Sequence, residues 1–149
     1  MNNVLGQYAL GGRLGDNIRE RQGMAYYVFS SFDANVAEGP LVVRAGVSPA
    51  NVDRTLAAID EEIGKMGRDG VTAAELADSC RYLVGSMPRV LETNAGIASF
   101  LHNAEYFGLG LDFDRRLPGL LERVTLDEVN ETAATFLIPD RAAISVAGP

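Results

Sequence analysis

Two β-prone runs lie close together near the start of the chain, and almost everything after them carries helical spacing. Ala25 to Ala34, AYYVFSSFDA, is rich in aromatic and β-branched residues. Leu41 to Val47, LVVRAGV, is a second such run, and Glu38-Gly39-Pro40 marks a turn between them. The arrangement predicts a hairpin with a longish loop. Arg44 interrupts the second run, so one face of that strand is expected to meet water or an acid.

Helical patterns flank the hairpin. Val4, Leu5, Tyr8, Leu10, Leu14 and Ile18 roughly follow one helical face. They predict a helix over about 3 to 20, broken near Gly11 and stopped at Gly23. After the hairpin, Ser48 is an expected N-cap and Pro49 suits a first helical position. Val52, Leu56, Ile59, Ile63 and Met66 recur at three and four residues, which predicts an amphipathic helix over about 49 to 67. Glu61 and Glu62 are expected on its solvated face. Thr72 and Glu75 form a capping box for a helix over about 73 to 86. Pro88 is expected to kink or end it, and helical spacing resumes from Glu92 to Tyr106. Asp112 to Arg123 predicts another helix. Thr125 and Glu128 open the last one, which runs to about Phe136. Pro139-Asp140 turns the chain, and Ala142 to Gly148, AAISVAG, reads as a final strand. Three strands with about five helices grouped before the last strand give an α+β class.

A single α+β domain fits the 149 residues. With 13 basic and 20 acidic residues the net charge is −7, which repels phosphate backbones and argues against nucleic-acid binding. The lone Cys80 excludes an internal disulfide and reads as a small packed side chain on a helix. Met1-Asn2-Asn3 lacks the basic and apolar regions of a secretory signal. No apolar run approaches the length of a membrane span. The expectation is a soluble protein, with cytoplasm and periplasm not distinguished.

The chain is poor in the residues that most hydrolytic centres need. A catalytic zinc takes three protein ligands, usually including histidines, and this sequence has only His102. Glu105 could share its helix face, but two groups make a poor centre, and His102 reads as a packed or surface residue. The segment LGGRLG lacks the features of a P-loop or a dinucleotide fingerprint. No serine stands in a GxSxG elbow. Asp127 and Glu128 suit a first helical turn, where carboxylates face free backbone N–H groups. From composition and spacing alone the chain is an acidic α+β domain with no self-contained catalytic centre.

One stretch raises a further question. In NIRERQGMAYYVFSSF, Arg19 stands near the end of a predicted helix and Tyr26 follows seven residues later, just past Gly23. The two could hold a substrate, or simply join a helix to a strand. LGGRLGDNIRERQGMAYYVFSSF resembles the helix-to-strand junction in the C-terminal halves of pitrilysin-type zinc peptidases, family M16, which includes the mitochondrial processing peptidase and insulin-degrading enzyme. GPLVVRAGVSPANVDRTLAAIDEEI, GVTAAELADSCRYLVGSMPRVLETNAGIASFL and VTLDEVNETAATFLIPDRAAISVAGP follow in the same order. The resemblance covers nearly the whole chain and rests on ordered segments rather than one motif.

It implies helices packed on a mostly antiparallel sheet, the LuxS/M16-peptidase-like fold. Residues 1–149 would be the later two thirds of a C-terminal domain, with further strands expected before Met1. It also implies a division of labour. One half of such a peptidase carries an inverted zinc motif, and that motif is absent here. The other half supplies an arginine and a tyrosine seven residues apart that reach the substrate. Arg19 and Tyr26 match that pair, as auxiliary catalytic groups. On this reading the chain holds no cofactor, and zinc belongs to a partner domain or subunit. The expected partners are that M16 catalytic domain and a peptide substrate, in a homo-oligomer or domain–domain assembly. The chain alone would be inactive. The alternatives are a non-enzymatic interaction module of the same fold, and locally an Arg19 paired with Asp16 or Glu20 beside a Tyr26 that only packs.

Overall fold

The computed structural model describes residues 1–8, 10–33 and 35–148. In chain order the elements are a π-helical turn Asn3–Gln7, α1 Gly12–Leu14, a π-helical segment Gly15–Arg21, β1 Ala25–Phe32, β2 Leu41–Val47, a 3-10 turn Pro49–Asn51, α2 Val52–Asp69, α3 Ala73–Val90, α4 Asn94–Tyr106, α5 Phe113–Leu121, α6 Leu126–Phe136 and a second 3-10 turn Pro139–Arg141. They form two units, Met1–Thr72 with Leu126–Pro149, and Ala73–Thr125. Among the described residues, no helix is long and apolar enough to cross a membrane.

The first unit holds the sheet and the deepest core. β1 and β2 pair antiparallel, from Phe32 opposite Leu41 to Ala25 opposite Val47. The bond from Asp33 N to Pro40 O, 3.0 Å, closes the loop between them. The predicted strand end at Ala34 lies outside the described residues. Arg44 on β2 points outward to Ser31 Oγ at 2.6 Å and Asp33 Oδ2 at 3.4 Å, so the interrupting cation meets both water and an acid. One face of β1 is buried, through Val28 and Ser30, and the N-terminal turn packs against it. Ser30 Oγ donates to Asn2 Oδ1 at 2.6 Å there. Leu5, Leu14, Ile18 and Met66 are fully buried, joined by Val4, Met24, Val28, Ala58, Val129, Ala133 and Leu137. α2 and α6 pack together in this unit.

The turn between α2 and the next segment is held from α6. Asn130 Oδ1 accepts from Val71 N at 2.7 Å, and Asn130 Nδ2 approaches Val71 O at 3.4 Å. Val71 is buried, so its N–H has no water to fall back on. Replacing Asn130 with Ala is expected to cost about 1–3 kcal/mol. Asn130→Asp keeps the acceptor and should cost less. Denaturant unfolding of the protein carrying this domain checks the order of the two.

The second unit contains α3, α4 and α5, with α3 packing on both others. Thr93 caps α4, its Oγ1 accepting from Gly96 N at 3.0 Å. Only Ser79 and Ala104 are buried among its described residues, whereas Ile97, Leu101, Tyr106, Phe107 and Leu111 are exposed.

Several expectations are corrected. The expected break near Gly11 is present, where Gly11 and Gly12 take φ of 118° and 58°, but the segments on either side are mostly π-helical rather than α-helical. Ser48 makes no side-chain cap; the chain instead takes a 3-10 turn before α2. Pro88 does not end α3, which runs on to Val90. Ala142–Gly148 forms no strand. The segment is exposed, and no strand lies beside it among the described residues to take its backbone groups. Glu62 is not on a solvated face. Thr55, Ala58, Glu62 and Met66 form the deepest stripe of α2, while Leu56, Ile59 and Ile63 are half-buried beside it. Glu61 does face water, where its hydrogen bond from Lys65 holds the carboxyl below its usual pKa and raises that of Lys65.

Candidate functional site at the helix-to-strand junction

The junction is pinned at both ends by buried apolar side chains. Ile18 lies in the core just before Arg19, and Met24 and Ala25 return to it just before Tyr26. Residues 19 to 23 between them are exposed. The π geometry follows from longer backbone bonds, with Gln22 N reaching Asn17 O at 3.1 Å. Gly23 N meets Arg19 O at 3.2 Å, and Met24 N meets Ile18 O at 3.0 Å. These bonds replace the ladder partners that a helix end loses. The reversal needs Gly23 at φ 59°, a left-handed conformation. On the far side, Asn51 Nδ2 approaches Met24 O at 3.4 Å.

Gly23→Ala isolates the backbone contribution, because an added Cβ would meet nothing within 4 Å. The expected cost is about 1–2 kcal/mol from the left-handed conformation alone. An unchanged unfolding midpoint would mean that the turn is not held this way.

Tyr26 stands at a β-bulge. Ala25 pairs with Val47 and Tyr27 with Gly46, so Tyr26 is the extra residue. A bulge breaks the strict alternation of faces and re-aims side chains. Tyr26 and Tyr27 consequently both point outward, and Tyr26 is 87% exposed, leaving its hydroxyl accessible. Its ring meets Tyr27 edge-on at 6.4 Å, and Tyr27 meets Phe29 at 5.9 Å. Tyr27 lies across Gly46, where any Cβ would fall 2.4 Å from the ring. The two tyrosines therefore differ: Tyr27 is packed on the hairpin and Tyr26 projects beyond it.

The arginines differ as well. Arg21 Nη2 contacts Asp16 Oδ2 at 2.6 Å. Arg19 meets Glu20 through Nε, at 3.4 Å. An exposed pair of this kind contributes little and yields readily to a better acceptor. Of the alternative expected, the Arg19–Glu20 contact is present, whereas Asp16 pairs with Arg21 and Tyr26 is largely exposed. Among the described residues no hydrogen bond or ion pair joins Arg19 to Tyr26. Each is presented separately at one end of the same junction. A guanidinium offers several N–H donors to a carbonyl or carboxylate, and a phenol offers one O–H donor.

The sequence pattern places Glu62 on a solvated face and gives Asn17 and Gln22 no role, yet these three lie beneath the junction. Asn17 Nδ2 donates to Glu62 Oε1 at 2.6 Å, and Gln22 Nε2 donates to Asn17 Oδ1 at 2.9 Å. Lys65 Nζ lies 3.8 Å from Glu62 Oε1 and 2.7 Å from Glu61 Oε1. The available signal was the spacing of Thr55, Ala58, Glu62 and Met66, which places the carboxylate on a core-facing stripe.

The donor set does not fit a catalytic zinc. His102 is on the exposed surface of α4, its ring stacked on Tyr106 at 5.7 Å. Among the described residues, no three His, Cys, Asp or Glu side chains come together as a metal site. Cys80 is half-buried on α3, and Ser86 Oγ is engaged with Leu83 O at 3.0 Å.

Residues 1–83 match the family described as the peptidase M16 inactive domain. The chain is 32% identical over 125 residues to the Helicobacter pylori "Non-peptidase homolog YmxG", covering 81% of this chain and 28% of that protein. It is 30% identical to the Bacillus subtilis "Uncharacterized zinc protease YmxG", covering 95% of this chain and 34% of that protein. It thus spans about a third of the length of these relatives. The crystal structure of a peptidase M16 inactive domain from Pseudomonas fluorescens superposes with a TM-score of 0.78 at 26% identity, over 94% of this chain and 33% of that one. The α+β arrangement, helices on a small antiparallel sheet, is the one seen in that domain. The chain belongs to the M16 peptidase family, in which it matches the inactive domain.

Proposed function

We propose that this chain is the non-catalytic part of a zinc-dependent endopeptidase. In that assembly Arg19 and Tyr26 would reach a peptide held against a zinc-bearing M16 domain. The supporting observation is the exposed Tyr26 at a bulge, with Arg19 on the same pinned junction. Arg19 would bind a carbonyl or carboxylate of the peptide. Tyr26 would donate its O–H toward the scissile carbonyl, where negative charge develops. Zinc, on the partner, would supply the activated water. The chain would be the later part of a C-terminal domain, completed by strands beside the hairpin.

The test compares metal content and cleavage of unstructured peptides for this chain, its zinc-bearing partner and the two together. Stoichiometric zinc and turnover are expected only where the partner is present, with full rate requiring both. Chelator-sensitive turnover by this chain alone would overturn the proposal.

A second reading, a structural or interaction module, is favoured by the relative named a non-peptidase homolog. It would be supported if the complete assembly cleaved none of a broad peptide set.

A further inference from the structure

Beneath the exposed pair lies a carboxylate with no evident place in a core. Glu62 is on the deepest stripe of α2, and its side chain is only 10% exposed. Burying an acid is costly unless its oxygens are met. Its short bond is the one from Asn17, at 2.6 Å, whereas Lys65 stands off at 3.8 Å. Asn17 in turn is gripped at its other end. Its Oδ1 accepts from Gln22 Nε2 and its backbone O from Gln22 N. The chain Glu62–Asn17–Gln22 therefore brackets residues 18 to 21, with Arg19 inside the bracket.

We propose that Glu62 is a positioning residue for Arg19, acting through Asn17. This rests on the reading of Arg19 and Tyr26 as substrate contacts. The π turn is a rare backbone form, seen mostly as short insertions, so its surroundings must hold it. Ile18 fixes the depth of that turn in the core. The Glu62–Asn17 bond fixes its rotation, and with it the direction in which Arg19, two residues further on, leaves the surface. α2 is a long regular helix and gives this bond a rigid origin. An apolar residue at position 62 would fill the space without gripping the turn.

The test uses the zinc-bearing assembly with this chain carrying Glu62→Leu, Glu62→Gln, Arg19→Ala and the double variant Glu62→Leu/Arg19→Ala. Glu62→Leu removes the acceptor and is expected to lower kcat/KM about tenfold or more. Glu62→Gln keeps an oxygen for Asn17 and should stay within about twofold of wild type, a rescue that bulk destabilisation would not show. In the Arg19→Ala background, Glu62→Leu should have no further effect on the rate. A persistent loss there, or a wild-type rate in Glu62→Leu while Arg19→Ala is impaired, overturns the positioning role. Arg19→Ala at the wild-type rate instead overturns the underlying reading. Amide exchange provides a readout independent of turnover. Exchange over residues 17–24 should accelerate about tenfold in Glu62→Leu and remain at the wild-type rate in Glu62→Gln. Unchanged exchange in Glu62→Leu would also overturn the role.

Discussion

Replacing Tyr26 with Phe is expected to lower kcat of the zinc-bearing assembly by about 10²-fold while leaving the protein folded. The substitution removes one hydroxyl from a side chain that is 87% exposed, so no buried group is left unpaired. Its effect on stability should stay within about 0.5 kcal/mol. If the O–H acts where charge develops in the transition state, KM should change little beside kcat. Tyr27→Phe is the internal control. Its ring is committed to Gly46 and Phe29, and the hydroxyl carries no assigned role. Its rate should therefore remain near wild type. Steady-state kinetics of the two variants, run beside thermal unfolding, separate chemistry from folding. Equal losses in both variants would mean that the Tyr26 hydroxyl has no role distinct from that of Tyr27.

Ile18→Ala should give the opposite pattern. Ile18 is fully buried, and truncating such a side chain in a packed core costs about 2–5 kcal/mol. That is a large share of a typical domain stability of about 5–15 kcal/mol. The damage lands at the base of the π segment, one residue from Arg19, so activity should fall together with stability. Leu10→Ala, in contrast, alters a side chain that is 63% exposed and should stay within about 0.5 kcal/mol of wild type. Chemical denaturation of the protein containing this domain measures both. An Ile18→Ala variant as stable as wild type would show that the junction is not anchored through the core.

Much of this arrangement was legible in the sequence because it depends on local signals. The hairpin follows from two aromatic and β-branched runs, and the amphipathic spacing of α2 follows from residues three and four apart. Gly23 marks the junction because only a left-handed residue makes that reversal without strain. What was not legible depends on partners distant in the chain. Glu62 reads as surface until Asn17, 45 residues away, is placed against it. The π form of residues 15–21 accompanies the burial of Ile18 and the Asn17–Glu62 bond, neither of which the local run of residues states. The bulge at Tyr26 depends on how β2 meets β1, which no run of residues states by itself. Ala142–Gly148 has strand-like composition, but a strand also requires a neighbour for its N–H and C=O groups.

On the proposed function, this inactive domain lends Arg19 and Tyr26 to chemistry performed elsewhere. The most direct test is the initial rate of cleavage of an unstructured peptide by the complete zinc-bearing assembly. Wild type is compared with the Arg19→Ala/Tyr26→Phe double variant at matched zinc content and matched unfolding midpoint. The expected result is a rate lower by about 10²-fold or more. Cleavage by the double variant at the wild-type rate would contradict the claim.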